Sequence, residues 1–174
     1  MKKVLIITVP RQDVTRPPGI LSILSACCEE ANYDYQILDL NLQMYKMFDA
    51  PIVEKLNADF STNQFTNDDN LFTYQQACDL VSEKINQYRP DFVAISVFTY
   101  ASVLATDVLL KYLKVTTNRK QYQIVLGGLG IDTAVESISG AREFKNYCLD
   151  TNLADYVITG EGEISFVELF NGNT

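Results

Sequence analysis

Three short segments carry the residues best suited to chemistry: Ser96-Val97-Phe98-Thr99-Tyr100, Gly127-Gly128-Leu129-Gly130 and Gly160-Glu161-Gly162-Glu163. Glycine lacks a Cβ and adopts positive φ at little cost. Gly127, Gly128 and Gly130 therefore let a flat or bulky ligand come close to the backbone, or else simply make a tight strand-to-helix turn. The hydroxyls of Ser96 and Thr99 suit capping of a following helix or holding the polar edge of a ligand. Tyr100 offers a face to pack over a ring system. Glu161 and Glu163 fall at a helix start, where the dipole and unpaired N–H groups favour negative charge. As an acid–base pair they lack a neighbouring histidine, lysine or nucleophile. A fourth segment, Pro10 to Gly19, adds Asp13, Pro18 and Gly19 as contact candidates.

Several chemistries are disfavoured. The chain has no histidine, and its four cysteines (Cys27, Cys28, Cys78 and Cys148) form no Cys-x-x-Cys pair, so reduced, mostly buried thiols are expected rather than a zinc site. The Gly-x-Gly-x-x-Gly fingerprint of dinucleotide enzymes should follow the first strand, where this chain has Pro17-Pro18-Gly19. Without it, Asp39 is a poor candidate for a ribose contact, and no Walker lysine marks a nucleotide triphosphate site. A net charge of −8, with no basic stripe, argues against nucleic acid. No apolar run approaches the roughly 20 residues of a membrane span. The apolar start passes into Pro10, Arg11, Gln12 and Asp13 with no cleavage site, so a buried first strand and a cytoplasmic protein are expected.

The elements that must position these segments alternate along the chain. Strands are expected at Lys3 to Val9, Tyr35 to Leu40, Phe92 to Val97, Tyr122 to Leu126 and Tyr156 to Thr159, mostly as continuous apolar runs of the kind a parallel strand covered on both faces requires. Between them lie helical stripes. The first holds Ile20, Ile23, Leu24, Cys27 and Ala31, and ends at Asn32. The clearest runs Leu71, Tyr74, Cys78, Val81, Ile85 and Tyr88 before Pro90 stops it. A third carries Val103, Leu104, Val108 and Leu113; a weaker helix is expected over Thr133 to Tyr147, and a last over Ile164 to Phe170. Asn41 to Asn70 reads as a long insert, with a short helix around Met44 to Leu56 and a polar loop from Asn57 onward.

The 174 residues suit one α/β domain: a doubly wound five-stranded parallel sheet, flavodoxin-like and Rossmann-like, in the order 2-1-3-4-5, with an insert at about 42–70. In such sheets a ligand binds beyond the carboxyl ends of the strands, near the switch point between the first and third, and all four segments fall there.

Taken in order, Pro17-Pro18-Gly19-Ile20-Leu21, Ile37-Leu38-Asp39-Leu40-Asn41, Pro90-Asp91-Phe92-Val93-Ala94-Ile95-Ser96, Gly127-Gly128 and Asp155 to Glu163 resemble the N-terminal cobalamin-binding domain of B12-binding radical SAM enzymes. The resemblance covers nearly the whole chain apart from the insert. It implies a cobalamin across the strand ends, contacted by Asp13, Pro18, Gly19, Ser96, Thr99, Tyr100, Gly127, Gly128, Gly130, Gly160, Glu161 and Gly162, with its nucleotide tail entering near Ser96, Thr99 and the Gly127-Gly128 turn. It also implies a partner in cis, a downstream barrel that binds S-adenosylmethionine and a 4Fe-4S cluster through Cys-x-x-x-Cys-x-x-Cys; neither barrel nor motif is in this sequence, so this chain is expected to bind rather than catalyse. Two departures stand out. Domains such as that of methionine synthase carry Asp-x-His-x-x-Gly with a cobalt-ligating histidine, which this chain lacks, implying a base-off cofactor without a histidine ligand. Relatives also usually show Gly-Gly-Pro-His where this chain has Gly127-Gly128-Leu129-Gly130. A competing reading is a cofactor-free flavodoxin-like docking or ligand-binding domain. A receiver-like domain fits less well: Asp13 stands alone after the first strand, and Thr159-Gly160 replaces the expected lysine.

Overall fold

A computed structural model describes residues 1–10, 15, 18–160 and 162–172. In chain order the elements are β1 (Lys3–Thr8), α1 (Gly19–Glu30), β2 (Asp34–Asp39), α2 (Leu40–Met47), α3 (Ala50–Thr62), α4 (Asp68–Tyr88), β3 (Phe92–Ser96), α5 (Val103–Thr116), β4 (Gln123–Gly127), α6 (Glu136–Ser139), α7 (Phe144–Asp150), β5 (Tyr156–Ile158) and α8 (Glu163–Asn171). The strands form one sheet in the order β2-β1-β3-β4-β5, every neighbour parallel. This is the flavodoxin-like topology expected from the alternation of apolar runs and helical stripes.

The register aligns Asp39, Thr8, Ser96, Gly127 and Ile158 in one row across the carboxyl edge. Side chains alternate along a strand, so each strand feeds two different cores. Leu5, Ile7 and Val9 with Val93, Ile95, Ile124 and Leu126 pack against α2–α5 and α7 in the larger core. Val4, Ile6, Phe92, Ala94 and Val125 pack against α1 and α8, through Leu21, Cys28, Phe166 and Phe170, in the smaller one. Ser96 shares the parity of Phe92 and Ala94, and Gly127 that of Val125, so both face α1 and α8.

Local signals set the helix ends. Asn32 takes a left-handed φ of 55° just past α1, as expected of a stop residue. The Asn67 side chain caps α4 by accepting from the Asn70 amide at 2.8 Å, with Asp68 and Asp69 in the first turn. Arg89 is left-handed at φ 52°, because Pro90 disfavours the right-handed helical conformation in the residue before it.

Two sequence expectations are corrected. The insert is not largely loop: α2 and α3 fill 40–62, so Asn57 to Thr62, read as polar loop, is helix. The segment Thr133 to Tyr147 is not one helix but the short α6 and α7, separated around Gly140 at φ 63°. The cysteines all lie on helices; Cys28, Cys78 and Cys148 are buried, and burial is the main force raising each thiol, Cys28 to about 12. Burial, with the charges of Glu163 and Glu30, also raises Cys27. These thiols stay protonated near neutrality and are poor nucleophiles and ligands. Among the described residues no helix is long and apolar enough to cross a membrane.

Candidate functional site

A cavity of about 260 Å³ opens at the carboxyl ends of β3, β4 and β5, between the sheet and the helices α1 and α8. Its position follows from side-chain size on one face of the sheet. Along β3 that face reads Phe92, Ala94, Ser96, and along β4 it ends in Val125 and Gly127, so bulk falls toward the carboxyl edge. The helices cannot follow the sheet inward there, and space remains.

The cavity has a polar mouth and an apolar floor. Ser96, Gly127 and Gly128 flank the mouth on the β3–β4 side, with Gly160, Gly162 and Glu163 opposite. Deeper lie Ala94 and Val125 from the sheet and Phe166 from α8, each under 5% exposed, walled by Ile20 and Leu24 of α1 and by Ile158. Phe166 is braced by Phe170, whose ring centroid lies 4.3 Å away. In the segments next to the lining, Leu129 directly follows Gly128 and Ile164 follows Glu163, exposed at 77% and 74%, and Phe98 and Tyr100 after β3 are exposed as well.

The glycines divide by what a side chain would meet. A Cβ on Gly130 would lie 2.5 Å from the Thr99 carbonyl oxygen and 2.9 Å from that of Val97. On Gly128, at φ 101°, it would lie 2.6 Å from the Val97 oxygen. These two glycines let the turn after β4 fold onto the end of β3, where the Gly130 amide donates to the Val97 carbonyl at 2.9 Å. Gly127 differs: a Cβ there meets only the Ile158 carbonyl oxygen at 3.6 Å, an ordinary contact. Packing within the chain therefore does not require glycine at 127, and the residue lines the cavity.

Of the residues singled out from sequence, Ser96, Gly127, Gly128, Gly160 and Gly162 come together at the cavity. Thr99, Tyr100 and Gly130 belong to the neighbouring turns, and Pro18 and Gly19 start α1; none of the five is in the lining. Asp13 and Glu161 lie outside the described residues. Of the two roles open to Thr99, capping is not found: its side chain makes no capping hydrogen bond. Asp39 instead caps α2, accepting from the Leu42 amide at 3.0 Å. Among the described residues no cluster of acidic or thiol side chains could hold a metal ion.

Sequence reasoning missed the apolar lining, although it was visible as every second residue before Ser96 and Gly127. It also missed Asn63, which supports the rim from the insert. Asn63 ends α3 at φ 52° and is 1% exposed. Its amide donates to the Tyr100 carbonyl at 3.1 Å, and its side-chain oxygen accepts from the Leu104 amide at 2.9 Å, capping α5 from a distance. Its own carbonyl accepts from Ser137 at 3.2 Å, so one residue ties together the segments after β3 and β4. Nothing local in the sequence signals this.

No family model matches the chain. A curated relative, cytidylyl-2-hydroxyethylphosphonate methyltransferase of Streptomyces wedmorensis, is 27% identical over 174 residues, covering 95% of this chain and 27% of that protein. Among solved structures, the radical S-adenosylmethionine methyltransferase TsrM of Kitasatospora setae superposes with a TM-score of 0.60 at 15% identity, over 98% of this chain and 25% of TsrM. A cobalamin-binding protein of Desulfitobacterium hafniense superposes with a TM-score of 0.56 at 12% identity, over 99% of this chain and 59% of that one. The chain thus spans about a quarter of the length of the two methyltransferases it matches, and it shares the fold of the solved structures.

Proposed function

We propose that this chain is a cobalamin-binding domain that holds the corrin across the carboxyl rim of the sheet and the nucleotide arm, base-off, in the cavity beneath it. The observation that carries the reading is the cavity lined by Ser96 and Gly127 at the carboxyl ends of the strands, in a fold shared with a cobalamin-binding protein. Small-molecule sites usually enclose about 300–1,000 Å³, so a cavity of about 260 Å³ takes one arm of a large ligand rather than all of it. The corrin then lies outside, over the exposed Phe98, Leu129 and Ile164. Ser96 is placed to hydrogen-bond the arm as it enters, and the Glu163 carboxylate at the mouth is an acceptor for sugar hydroxyls. With no histidine in the chain, no imidazole from it can ligate cobalt. Asp13, Glu161, Thr99, Tyr100, Gly130, Pro18 and Gly19 remain proposed contacts of the corrin or of the arm near its entry.

Bound cobalamin would supply a cobalt centre able to carry a methyl group; the residues here bind, orient and shield it. We assign the chemistry to a radical SAM barrel in cis, with its S-adenosylmethionine and 4Fe-4S cluster, in keeping with the methyltransferases the chain matches. The test is incubation with hydroxocobalamin, desalting, and a visible spectrum of the protein fraction. Retained corrinoid absorbance is expected; a colourless protein overturns the proposal in favour of a cofactor-free docking domain. Gly127→Val should abolish retention while changing unfolding free energy by less than about 1 kcal/mol, because residue 127 lines the cavity and a Cβ there makes only an ordinary contact, 3.6 Å from the Ile158 carbonyl oxygen.

A further inference from the structure

We infer that the cavity reads the chemistry of the arm's terminal ring, taking an apolar fused aromatic such as a benzimidazole in preference to a purine of the same outline. This rests on the cobalamin reading and deepens it. Among the described residues the floor carries no polar side chain: Ala94, Val125 and Phe166, with Leu24 on the wall beside them, meet whatever reaches it. The backbone there is not available either, because β3 and β4 are interior strands whose amides and carbonyls serve the parallel ladders on both sides. The polar groups, Ser96 and Glu163, sit at the mouth. Ser96 is two strand positions from Ala94, about 6.6 Å at 3.3 Å per residue, so it meets the sugar end of an arm whose ring lies on the floor. A purine would bring its ring nitrogens and exocyclic group into that floor and leave them unpaired, whereas a dimethylbenzimidazole ring presents only carbon and methyl groups at its far edge.

The experiment titrates the whole chain with three corrinoids: cobalamin, the adenine-containing cobamide, and cobinamide, which has no nucleotide arm. Affinity is read from the visible spectrum. Cobalamin should bind at least tenfold more tightly than the adenine form, about 1.4 kcal/mol, and the adenine form should be little better than cobinamide. Leu24→Asn, on a half-buried helix position, puts an amide beside the floor and should narrow the ratio at least threefold. Equal binding of cobalamin and the adenine form, both tighter than cobinamide, overturns the inference and leaves the cobalamin reading standing. Equal binding of all three places the arm outside the cavity and also overturns it. Tighter binding of the adenine form overturns the inference as well, and its loss in Glu163→Gln would place the purine amine at the carboxylate of the mouth. Binding of none removes the cobalamin reading itself.

Discussion

The two faces of the sheet are built from the same strands and end differently. Toward α2–α5 and α7 the inward residues stay large to the carboxyl edge: Leu5, Ile7 and Val9 in β1 and just beyond it, and Val93, Ile95 and Val97 in β3 and just beyond it. That face is closed by the insert, where Phe60 packs edge-on to Tyr74 at 5.0 Å and the Tyr74 hydroxyl donates to the Ala105 carbonyl at 3.0 Å. Toward α1 and α8 the inward residues shrink, from Phe92 through Ala94 to Ser96, and the cavity appears where they are smallest. One face is filled for stability; the other gives up contacts at one end to make room. Close packing contributes stability through every contact it makes, so a gap kept open at the carboxyl end of one face is a candidate binding feature.

The largest effect that can break this contrast comes from core truncation. Phe60→Ala, at a fully buried position, should cost about 3–5 kcal/mol. Leu24→Ala, half-buried and already facing open space, should cost about 1 kcal/mol. Urea unfolding of both variants reads the difference from the midpoints. Equal losses would mean that the two faces are packed alike and that the cavity is closed in solution.

Next in size is the buried asparagine that carries the closed face's support to the rim. Asn63→Ala removes two side-chain hydrogen bonds, strands the Leu104 amide and puts a Cβ-bearing residue without a polar side chain at φ 52°. A loss of about 3 kcal/mol is expected, from an unpaired buried donor and left-handed backbone strain together. Asn63→Gly breaks the same bonds without the strain and should be the milder variant. Both should speed hydrogen exchange at Leu104 and weaken corrinoid retention. Unchanged retention in both would separate the insert from the site.

The sheet order was legible because five apolar runs alternate with helical stripes, and parallel connections leave few ways to arrange them. Ser96 and the glycines were legible because they break those runs at the strand ends. The insert was not. Asn57 to Asn70 looks like solvent-exposed loop, yet Asp59 is 1% exposed and accepts from the Thr66 amide at 3.2 Å and from Asn70 at 2.7 Å. Polar residues that satisfy one another on burial carry the composition of a loop and the packing of a core. The cavity floor was missed for a different reason. Reading each strand as one continuous apolar run hides the period of two, and only that period shows Phe92, Ala94 and Ser96 tapering on one side.

The smallest effect concerns two hydroxyls set side by side. Thr8 and Ser96 are register neighbours on the same face, but only Ser96 lines the cavity. Thr8 is fully buried, and its hydroxyl has no hydrogen-bond partner among the described residues. Ser96→Ala should weaken cobalamin about fivefold, the loss of one neutral hydrogen bond of about 1 kcal/mol, with little change in unfolding midpoint. Thr8→Val keeps the side-chain shape and removes an unpaired hydroxyl, so it should leave the fold as stable or slightly more so, and affinity within about twofold. Equal weakening by both would extend the binding site across to β1. Weakening by Thr8→Val alone would move the arm off β3 and β4 altogether, and with it the distinction between a filled face and an open one.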